Sequence, residues 1–134
     1  MQRGDEIFLD TNVLIYIASG DARKAQVSES LLANGGVIGV QFLNEFVSVT
    51  RRKYGVTFAE IRQMLAQFKV LLNVVPLTSA IHERGVALAE RYNFEIYDSM
   101  IVAAAQLSGC RELYSEDMHA GLTLEGLTIV NPYI

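Results

Sequence analysis

The sequence has 134 residues, of which 51% are hydrophobic and 19% charged, so it predicts a single globular domain, residues 1–134, and excludes a disordered chain. Its one cysteine, Cys110, excludes an internal disulfide and any zinc site built from several cysteines, and is predicted to be a buried structural thiol. The net charge of −4 argues against a nucleic-acid binder, because phosphate contacts are normally made by an excess of Lys and Arg. No apolar run approaches the roughly 20 residues that cross a bilayer, so we expect a soluble, cytoplasmic protein without a membrane partner.

Segments with strand and helix periodicity alternate along the chain, which predicts an α/β fold with a mostly parallel sheet and helices on both faces. In chain order the predicted elements are a strand at 6–9, an apolar helical segment at 13–18, a helix at 22–32, a strand at 37–40, helices at 41–53 and 58–69, a strand at 71–75, helices at 79–92 and 99–107, and strands at 112–115 and 127–130. Capping side chains precede several of these helices, and we assign them to Asn12, Asp21, Thr57, Thr78 and Asp98.

Four acidic residues fall at one edge of this predicted sheet. Asp10 directly follows the first strand, and Glu45 lies in the first turns of the helix after the second. Asp98 begins the helix that leads into the fourth strand, and Asp117 comes two residues after that strand. Parallel strands end at a common edge and crossover helices begin near it. All four acids are therefore predicted at the C-terminal edge, where open α/β folds bind ligands.

Carboxylates gathered in this way would repel one another unless a cation were present. Mg²⁺ and Mn²⁺ suit oxygen ligands and bridge readily to phosphate. We therefore predict metal-assisted phosphodiester hydrolysis, with one set of residues serving as both metal ligands and catalytic residues: Asp10, Glu45, Asp98 and Asp117. With four of the fifteen acids used as ligands, eleven remain against eleven Lys and Arg, which weakens the objection from net charge.

Each of these acids also has an ordinary structural explanation when it is considered alone. Asp10 fits an Asx turn, and Asp98 fits the first turn of a helix, where the dipole favours an acid. Glu45 fits a solvated rim and Asp117 a loop. The shared edge favours the functional interpretation, because independent caps would not need to lie together.

Further residues near the acids are candidates for supporting roles. Three are candidates to orient metal ligands or a water, with capping or solvent contact as the alternative: Thr11, Asn12 and Ser115. Glu116 is predicted to point away from Asp117, and Glu95 to lie in a loop.

Three basic residues are candidates for contact with substrate. Arg51 and Arg52 belong to the only run of three basic residues, and Arg52 shares the side of the predicted helix that carries Glu45. Either could meet a phosphate near the metal, or simply be solvated at the helix end. His119, two residues beyond Asp117, could touch substrate or be a plain loop residue. His82 is predicted to be exposed in mid-helix.

The motifs that carry these residues resemble those of the PIN-domain family. They are LDTNVL at residues 9–14, NEF at 44–46, YDS at 97–99 and YSED at 114–117. The resemblance spans nearly the whole chain, and the order and spacing of the motifs make it specific. It implies a three-layer α/β/α fold with a five-stranded parallel sheet in the order 3-2-1-4-5, and a site between strands one and four.

Compact PIN proteins of this size are similar to the VapC-type toxins of toxin–antitoxin modules. That resemblance implies an endoribonuclease that depends on Mg²⁺ or Mn²⁺, cuts an RNA such as tRNA or rRNA, forms a homodimer and is inhibited by a cognate antitoxin protein. It carries the family's four acids over, without a departure, to Asp10, Glu45, Asp98 and Asp117. The apolar segment 13–18 is either part of a dimer or antitoxin surface or buried in the core.

Other functions remain to be weighed against a toxin nuclease. A phosphoryl-accepting receiver domain would need paired acids after the first strand, and a haloacid-dehalogenase-like phosphatase would need an Asp at the position of Asn12, so both are disfavoured. The strongest alternatives are a PIN-like RNA- or protein-binding module without catalysis, and a PIN nuclease in RNA processing unrelated to toxin–antitoxin function.

Overall fold

A computed structural model describes residues 6–134, so the predicted domain 1–134 is described apart from its first five residues. In chain order the elements are β1 (Ile7–Leu9), α1 (Thr11–Ala18), α2 (Ala22–Ala33), β2 (Gly36–Gly39), α3 (Val40–Tyr54), α4 (Phe58–Leu71), β3 (Leu72–Val75), α5 (Ser79–Tyr92), α6 (Ile96–Leu107), β4 (Glu112–Tyr114), β5 (Thr123–Leu124) and β6 (Leu127–Val130). Every predicted strand and helix is present, with ends that differ by at most three residues.

The strands form one six-stranded sheet in the order β3-β2-β1-β4-β6-β5. Neighbouring strands are parallel except β5 and β6, which are antiparallel. The predicted order of the five parallel strands is confirmed, with β6 in the fifth place, whereas the predicted count of five is wrong. The sixth strand, β5, belongs to a hairpin whose turn residues Glu125 and Gly126 have φ of 48° and 91°, as a tight two-residue turn requires.

Helices cover both faces of the centre of this sheet, which gives the predicted three-layer α/β/α architecture. All residues of β1 and β2 are buried, and successive strand residues point to opposite faces. α6 is buried at every residue from Ser99 to Ala105. Cys110 lies buried beside this core, as predicted. No helix in the described part of the chain is long and apolar enough to span a membrane.

The structure shows how far the apolar segment 13–18, which lies in α1, is buried. Val13 and Leu14 are completely buried, and Ile15 and Ile17 pack against the core while remaining partly exposed. Val13 and Leu14 therefore belong to the core, and a partner surface on the partly exposed remainder of the segment stays a prediction.

The starts of α1 and α6 differ from those predicted by two and three residues. α1 begins at Thr11 and is capped by Asp10, not Asn12, because the Asp10 carboxylate accepts a hydrogen bond from the Thr11 amide at 2.6 Å. α6 begins at Ile96, and its cap is Glu95 rather than Asp98. The side chain of Glu95 is long enough to accept from two amides of the first turn, so this residue is not the loop residue predicted. The caps predicted at Asp21, Thr57 and Thr78 are confirmed.

Candidate active site

The structure brings the four predicted acids together around one cleft of about 870 Å³. Asp10 follows β1, and Asp117 lies in the loop after β4, the strand that pairs with β1. Glu45 projects from the second turn of α3, and Asp98 from the first turn of α6. Because β1 and β4 are parallel and adjacent, the chain leaves both at the same edge, and this edge forms the floor of the cleft.

Asp10 is the most enclosed of the four carboxylates. Its Oδ1 accepts from the Thr11 amide, and its Oδ2 accepts from the Ser115 hydroxyl at 2.7 Å. Burial, helped by the charges of Glu45 and Asp117, raises the pKa of Asp10 to about 6. The two hydrogen bonds act in the opposite direction and lower the pKa. A nearby cation would stabilise the ionised form of a carboxylate whose pKa is raised in this way.

Thr11 connects Asp10 with Glu45. Its side chain is buried, with 1% of its surface exposed, and its hydroxyl lies 3.3 Å from Glu45 Oε2 and 3.5 Å from the Phe42 carbonyl oxygen. A single hydroxyl thus ties the start of α1 to the side chain of α3 that reaches the cleft.

Asn12 performs a similar role for Asp117. Its amide nitrogen donates to Asp117 Oδ2 at 3.1 Å. Its amide oxygen is buried and finds no hydrogen-bond donor among residues 6–134. Burying an oxygen without a hydrogen bond costs free energy, so a water or a cation bound at this atom would be favourable. Asn12 itself lines the cleft, which places that oxygen in the same group as the acids.

Asp98 is affected both by burial and by the charges of its neighbours. Burial raises its pKa, the charges of Glu95 and Asp117 act in the same direction, and His119 opposes them. The His119 ring stacks on Phe94, with ring centroids 6.0 Å apart and planes at 21°. His119 therefore has a fixed place beside Asp98, although it does not line the cleft.

Arg51 and Arg52 lie at the C-terminal end of α3 and do not line the cleft. Arg51 donates to the Val56 carbonyl at 3.2 Å, and its guanidinium lies 4.4 Å from the centre of the Phe58 ring. Arg52 is exposed. Their contact with a phosphate near the metal therefore stays a prediction, and neither side chain borders the cleft.

The sequence did not indicate that Glu95 and His82 line the cleft. Glu95 lines the cleft as the cap of α6, and His82 lines it from the first turn of α5. The edge argument could have found His82, since α5 follows β3 and begins at the same edge. Of the described residues that line the cleft, five are acidic and His82 is the only basic one.

The chemistry of these donors fits a hard divalent cation, although no preformed site is present. Within residues 6–134, no three His, Cys, Asp or Glu side chains are grouped closely enough to hold a metal ion as they stand. Mg²⁺ is commonly bound through one or two carboxylates and completes its coordination with waters. Five acids, the raised pKa of Asp10 and the unsatisfied oxygen of Asn12 all favour such an ion.

The fold and the cleft define a class of protein, an α/β/α domain with an acidic site at the C-terminal ends of the adjacent strands β1 and β4. The PIN domain family model matches residues 7–120, which is most of the chain. The chain belongs to the PIN domain family. No curated protein matches its sequence at a significant level.

Solved structures with the same fold include components of toxin–antitoxin systems. A chain of a toxin–antitoxin complex from Klebsiella pneumoniae is 30% identical, with a TM-score of 0.70 over 95% of this chain and 98% of that one. VapC20 of Mycobacterium tuberculosis, described as a sarcin–ricin loop cleaving toxin, is 19% identical, with a TM-score of 0.62 over 80% and 86%. A chain of VapBC2 from Rickettsia felis, bound to a promoter DNA fragment, is 18% identical, with a TM-score of 0.60 over 83% and 87%.

Proposed function

We propose that this protein is a divalent-metal-dependent endoribonuclease and the toxin of a type II toxin–antitoxin module. The observation that carries the proposal is the convergence of four carboxylates, from four separate elements, on one cleft of a PIN domain. The Klebsiella pneumoniae chain that is 30% identical over nearly its full length comes from a toxin–antitoxin complex. The VapC20 description as an RNA-loop cleaving toxin supports RNA as the substrate.

In this proposal Mg²⁺ or Mn²⁺ is held by Asp10, Glu45, Asp98 and Asp117. When bound, the ion lowers the pKa of the attacking water and neutralises the charge that develops on the phosphate. The water oxygen forms a bond to phosphorus, the bond to the leaving ribose oxygen breaks, and a proton passes to that oxygen. The five acids of the cleft repel the phosphate backbone without a cation, so RNA binding in the cleft depends on the metal.

Three neutral side chains of the protein orient these acids. Ser115 donates to Asp10, Thr11 to Glu45 and Asn12 to Asp117. Each hydrogen bond restricts the rotation of one carboxylate, which prepares the ligands for an ion that tolerates little distortion. The supporting roles predicted for these residues thus have a geometric basis.

Contacts with the substrate outside the cleft are assigned to Arg51, Arg52 and His119. We assign His119, which interacts with the charge of Asp98, to a group near the scissile phosphate. Arg51 and Arg52 are placed for more distant phosphates, beyond the C-terminal end of α3. The proposed partners are an RNA such as tRNA or rRNA, a cognate antitoxin and a second copy of the chain, in the cytoplasm.

The nuclease proposal is tested by incubating the purified protein with total RNA and Mn²⁺, with and without EDTA. The matched variants are Asp98→Asn and Glu29→Gln, of which the second removes an exposed acid of α2 outside the cleft. We expect cleavage by the wild type and Glu29→Gln, and none by Asp98→Asn or in EDTA. Equal cleavage by wild type and Asp98→Asn would contradict the mechanism, and RNA binding without cleavage would indicate a binding module.

The toxin role requires a separate experiment. Expression of the wild type in bacteria is expected to arrest growth, and co-expression of the neighbouring gene's product to restore it. Asp98→Asn should not arrest growth. A wild type that cleaves RNA without arresting growth would instead indicate a nuclease in RNA processing.

A further inference from the structure

Three consecutive residues after β4 are held by different parts of the protein. The Ser115 hydroxyl donates to Asp10, and the Asp117 carboxylate accepts from Asn12. Between them, Glu116 turns to the other side of the loop, as the sequence predicted. There its carboxylate accepts from both Tyr16 of α1 and Lys24 of α2.

The contacts of Glu116 form a closed triangle. Lys24 Nζ lies 2.6 Å from Glu116 Oε2 and 3.2 Å from the Tyr16 hydroxyl oxygen, and the Tyr16 hydroxyl donates to Glu116 Oε1. Lys24 Nζ also lies 4.6 Å from the centre of the Tyr16 ring. Hydrogen bonds between ionised groups are stronger than neutral ones, and three members that contact one another restrict each other's rotation.

This triangle is better shielded from water than an ordinary surface ion pair. The side chains of Lys24 and Glu116 are 24% and 21% exposed, compared with 36% and 41% for Arg84 and Glu125. The Tyr16 ring packs edge-on against Tyr133 at 4.9 Å. Exposed pairs contribute little because water and salt screen them, so partial burial gives this one a larger effect.

The triangle and the active cleft share one face of α1. Asn12 and Tyr16 are four residues apart, so their side chains project from the same face on successive turns. Asn12 holds Asp117, and Tyr16 holds the adjacent Glu116. Two neighbouring loop residues are therefore docked on two successive turns of a helix that is anchored in the core by Val13 and Leu14.

We propose that Lys24, Tyr16 and Glu116 form a positioning clamp that fixes Asp117 in the cleft and so sets the affinity of the site for its divalent ion. This inference rests on the proposed metal-dependent function. Asp117 is exposed, and among residues 6–134 its carboxylate accepts one hydrogen bond, that from Asn12. Without the clamp the loop gains conformational freedom, and ordering it becomes a cost of metal binding.

The charge of Lys24 makes the clamp distinguishable from a purely electrostatic effect. A positive side chain close to a metal site weakens cation binding through its field, so its removal alone would tighten Mn²⁺ binding. If Lys24 instead positions the loop, its removal weakens Mn²⁺ binding. Residues that orient metal ligands typically change affinity by about 10- to 100-fold.

The test is the dissociation constant for Mn²⁺, measured by isothermal titration calorimetry on the full chain. We expect Lys24→Met to raise it about 10-fold or more, and Lys24→Arg, which retains the ion pair, to stay close to wild type. Tyr16→Phe, which is neutral, should raise it in the same direction. Arg84→Met is the control, since it breaks the ion pair with Glu125 elsewhere and removes the same positive charge as Lys24→Met.

Hydrogen exchange of the metal-free protein gives a second readout that does not depend on activity. We expect faster amide exchange over residues 115–119 in Lys24→Met than in wild type, with exchange in α6 unchanged. An unchanged or tighter Mn²⁺ affinity with unchanged exchange in Lys24→Met overturns the clamp and leaves the nuclease proposal intact. A wild type that neither binds Mn²⁺ nor cleaves RNA overturns the nuclease proposal instead. In that case the amide exchange of residues 115–119 still tests whether the clamp orders the loop.

Discussion

The Ser115 hydroxyl donates a 2.7 Å hydrogen bond to Asp10 Oδ2, although the two residues are 105 positions apart in the chain. They meet because β1 and β4 are adjacent and parallel, with Leu9 paired to Tyr114 one position earlier on each strand. The bond links the most enclosed acid of the cleft to the loop that carries Asp117. The pairing of β1 with β4 thus brings Asp10 and Ser115 together, and the buried Ser115 hydroxyl orients the Asp10 carboxylate.

Ser115→Ala should slow RNA cleavage by about 10- to 100-fold while leaving the protein folded. The Ser115 hydrogen bond lowers the pKa of Asp10, so its loss raises that pKa and moves the acidic limb of the pH–rate profile to higher pH. The measurement is cleavage rate in Mn²⁺ from pH 5 to 8, and Ser30→Ala, on the exposed side of α2, is the control. An unchanged profile would show that the hydroxyl does not act on Asp10.

Asp10→Asn should make the metal-free protein more stable at neutral pH. The folded-state pKa of about 6 lies above the 3.8 of an unperturbed Asp, so the folded state binds more protons between these values. Stability therefore falls as pH rises from about 4 to about 6, by at most about 3 kcal/mol, and is constant above. Asn caps a helix as well as Asp, and its amide nitrogen can donate to the Ser115 hydroxyl oxygen in place of the bond that Asp10 Oδ2 accepts, so the main change is loss of the charge penalty.

The measurement for this prediction is urea unfolding in EDTA at pH 4, 5, 6 and 7. The advantage of Asp10→Asn over wild type should grow through this range and level off near pH 6. Asp21→Asn changes a helix cap of the same type on exposed α2 and should show no such growth. An advantage for Asp10→Asn that is greatest at pH 4 would have the wrong sign.

Mn²⁺ should raise the melting temperature of the wild type, because it binds the folded cleft and relieves repulsion among its acids. At an Mn²⁺ concentration 100 times the dissociation constant, the gain in stability is about 2.7 kcal/mol. Asp117→Asn should reduce the shift, measured by differential scanning fluorimetry, and Glu29→Gln should not. Equal shifts in both variants would place the metal outside the cleft.

Glu95→Gln should lower the pKa of Asp98, since the charge of Glu95 helps to raise it. Gln retains the carbonyl oxygen that can accept from the amides of Tyr97 and Asp98, so α6 should remain capped. Cleavage should then persist to lower pH than in wild type. Glu90→Gln, an exposed change on α5, is the control, and an identical acid limb in both variants would argue against electrostatic coupling of Glu95 to Asp98.

The placement of the four acids could be predicted because it depends on strand order and on where a parallel chain leaves each strand. The motif around Asp10 and the buried strand before it are both visible in the sequence. β5 could not be predicted, because two residues in an antiparallel hairpin carry no periodic signal. The true start of α6 was obscured because Glu95 is an unusual cap, whereas Asp98 fits either position.

The contacts that orient the acids depend on tertiary packing and were only partly predictable. Thr11, Asn12 and Ser115 were identifiable as neighbours of the acids, but the pairing of each with a particular carboxylate required coordinates. The hydrogen bonds among Tyr16, Lys24 and Glu116 were not predictable, since they join residues up to 100 positions apart. Local sequence patterns carry no information about such pairs.

The four-carboxylate site is tested most directly by the single-turnover rate of RNA cleavage in Mn²⁺ for each acid replaced by its amide. Asp10→Asn, Glu45→Gln, Asp98→Asn and Asp117→Asn should each lower the rate by about 100-fold or more, with Glu29→Gln unchanged. Four variants that are folded and cleave RNA at the wild-type rate, or cleavage that persists in EDTA, would contradict a metal-dependent ribonuclease site in this cleft.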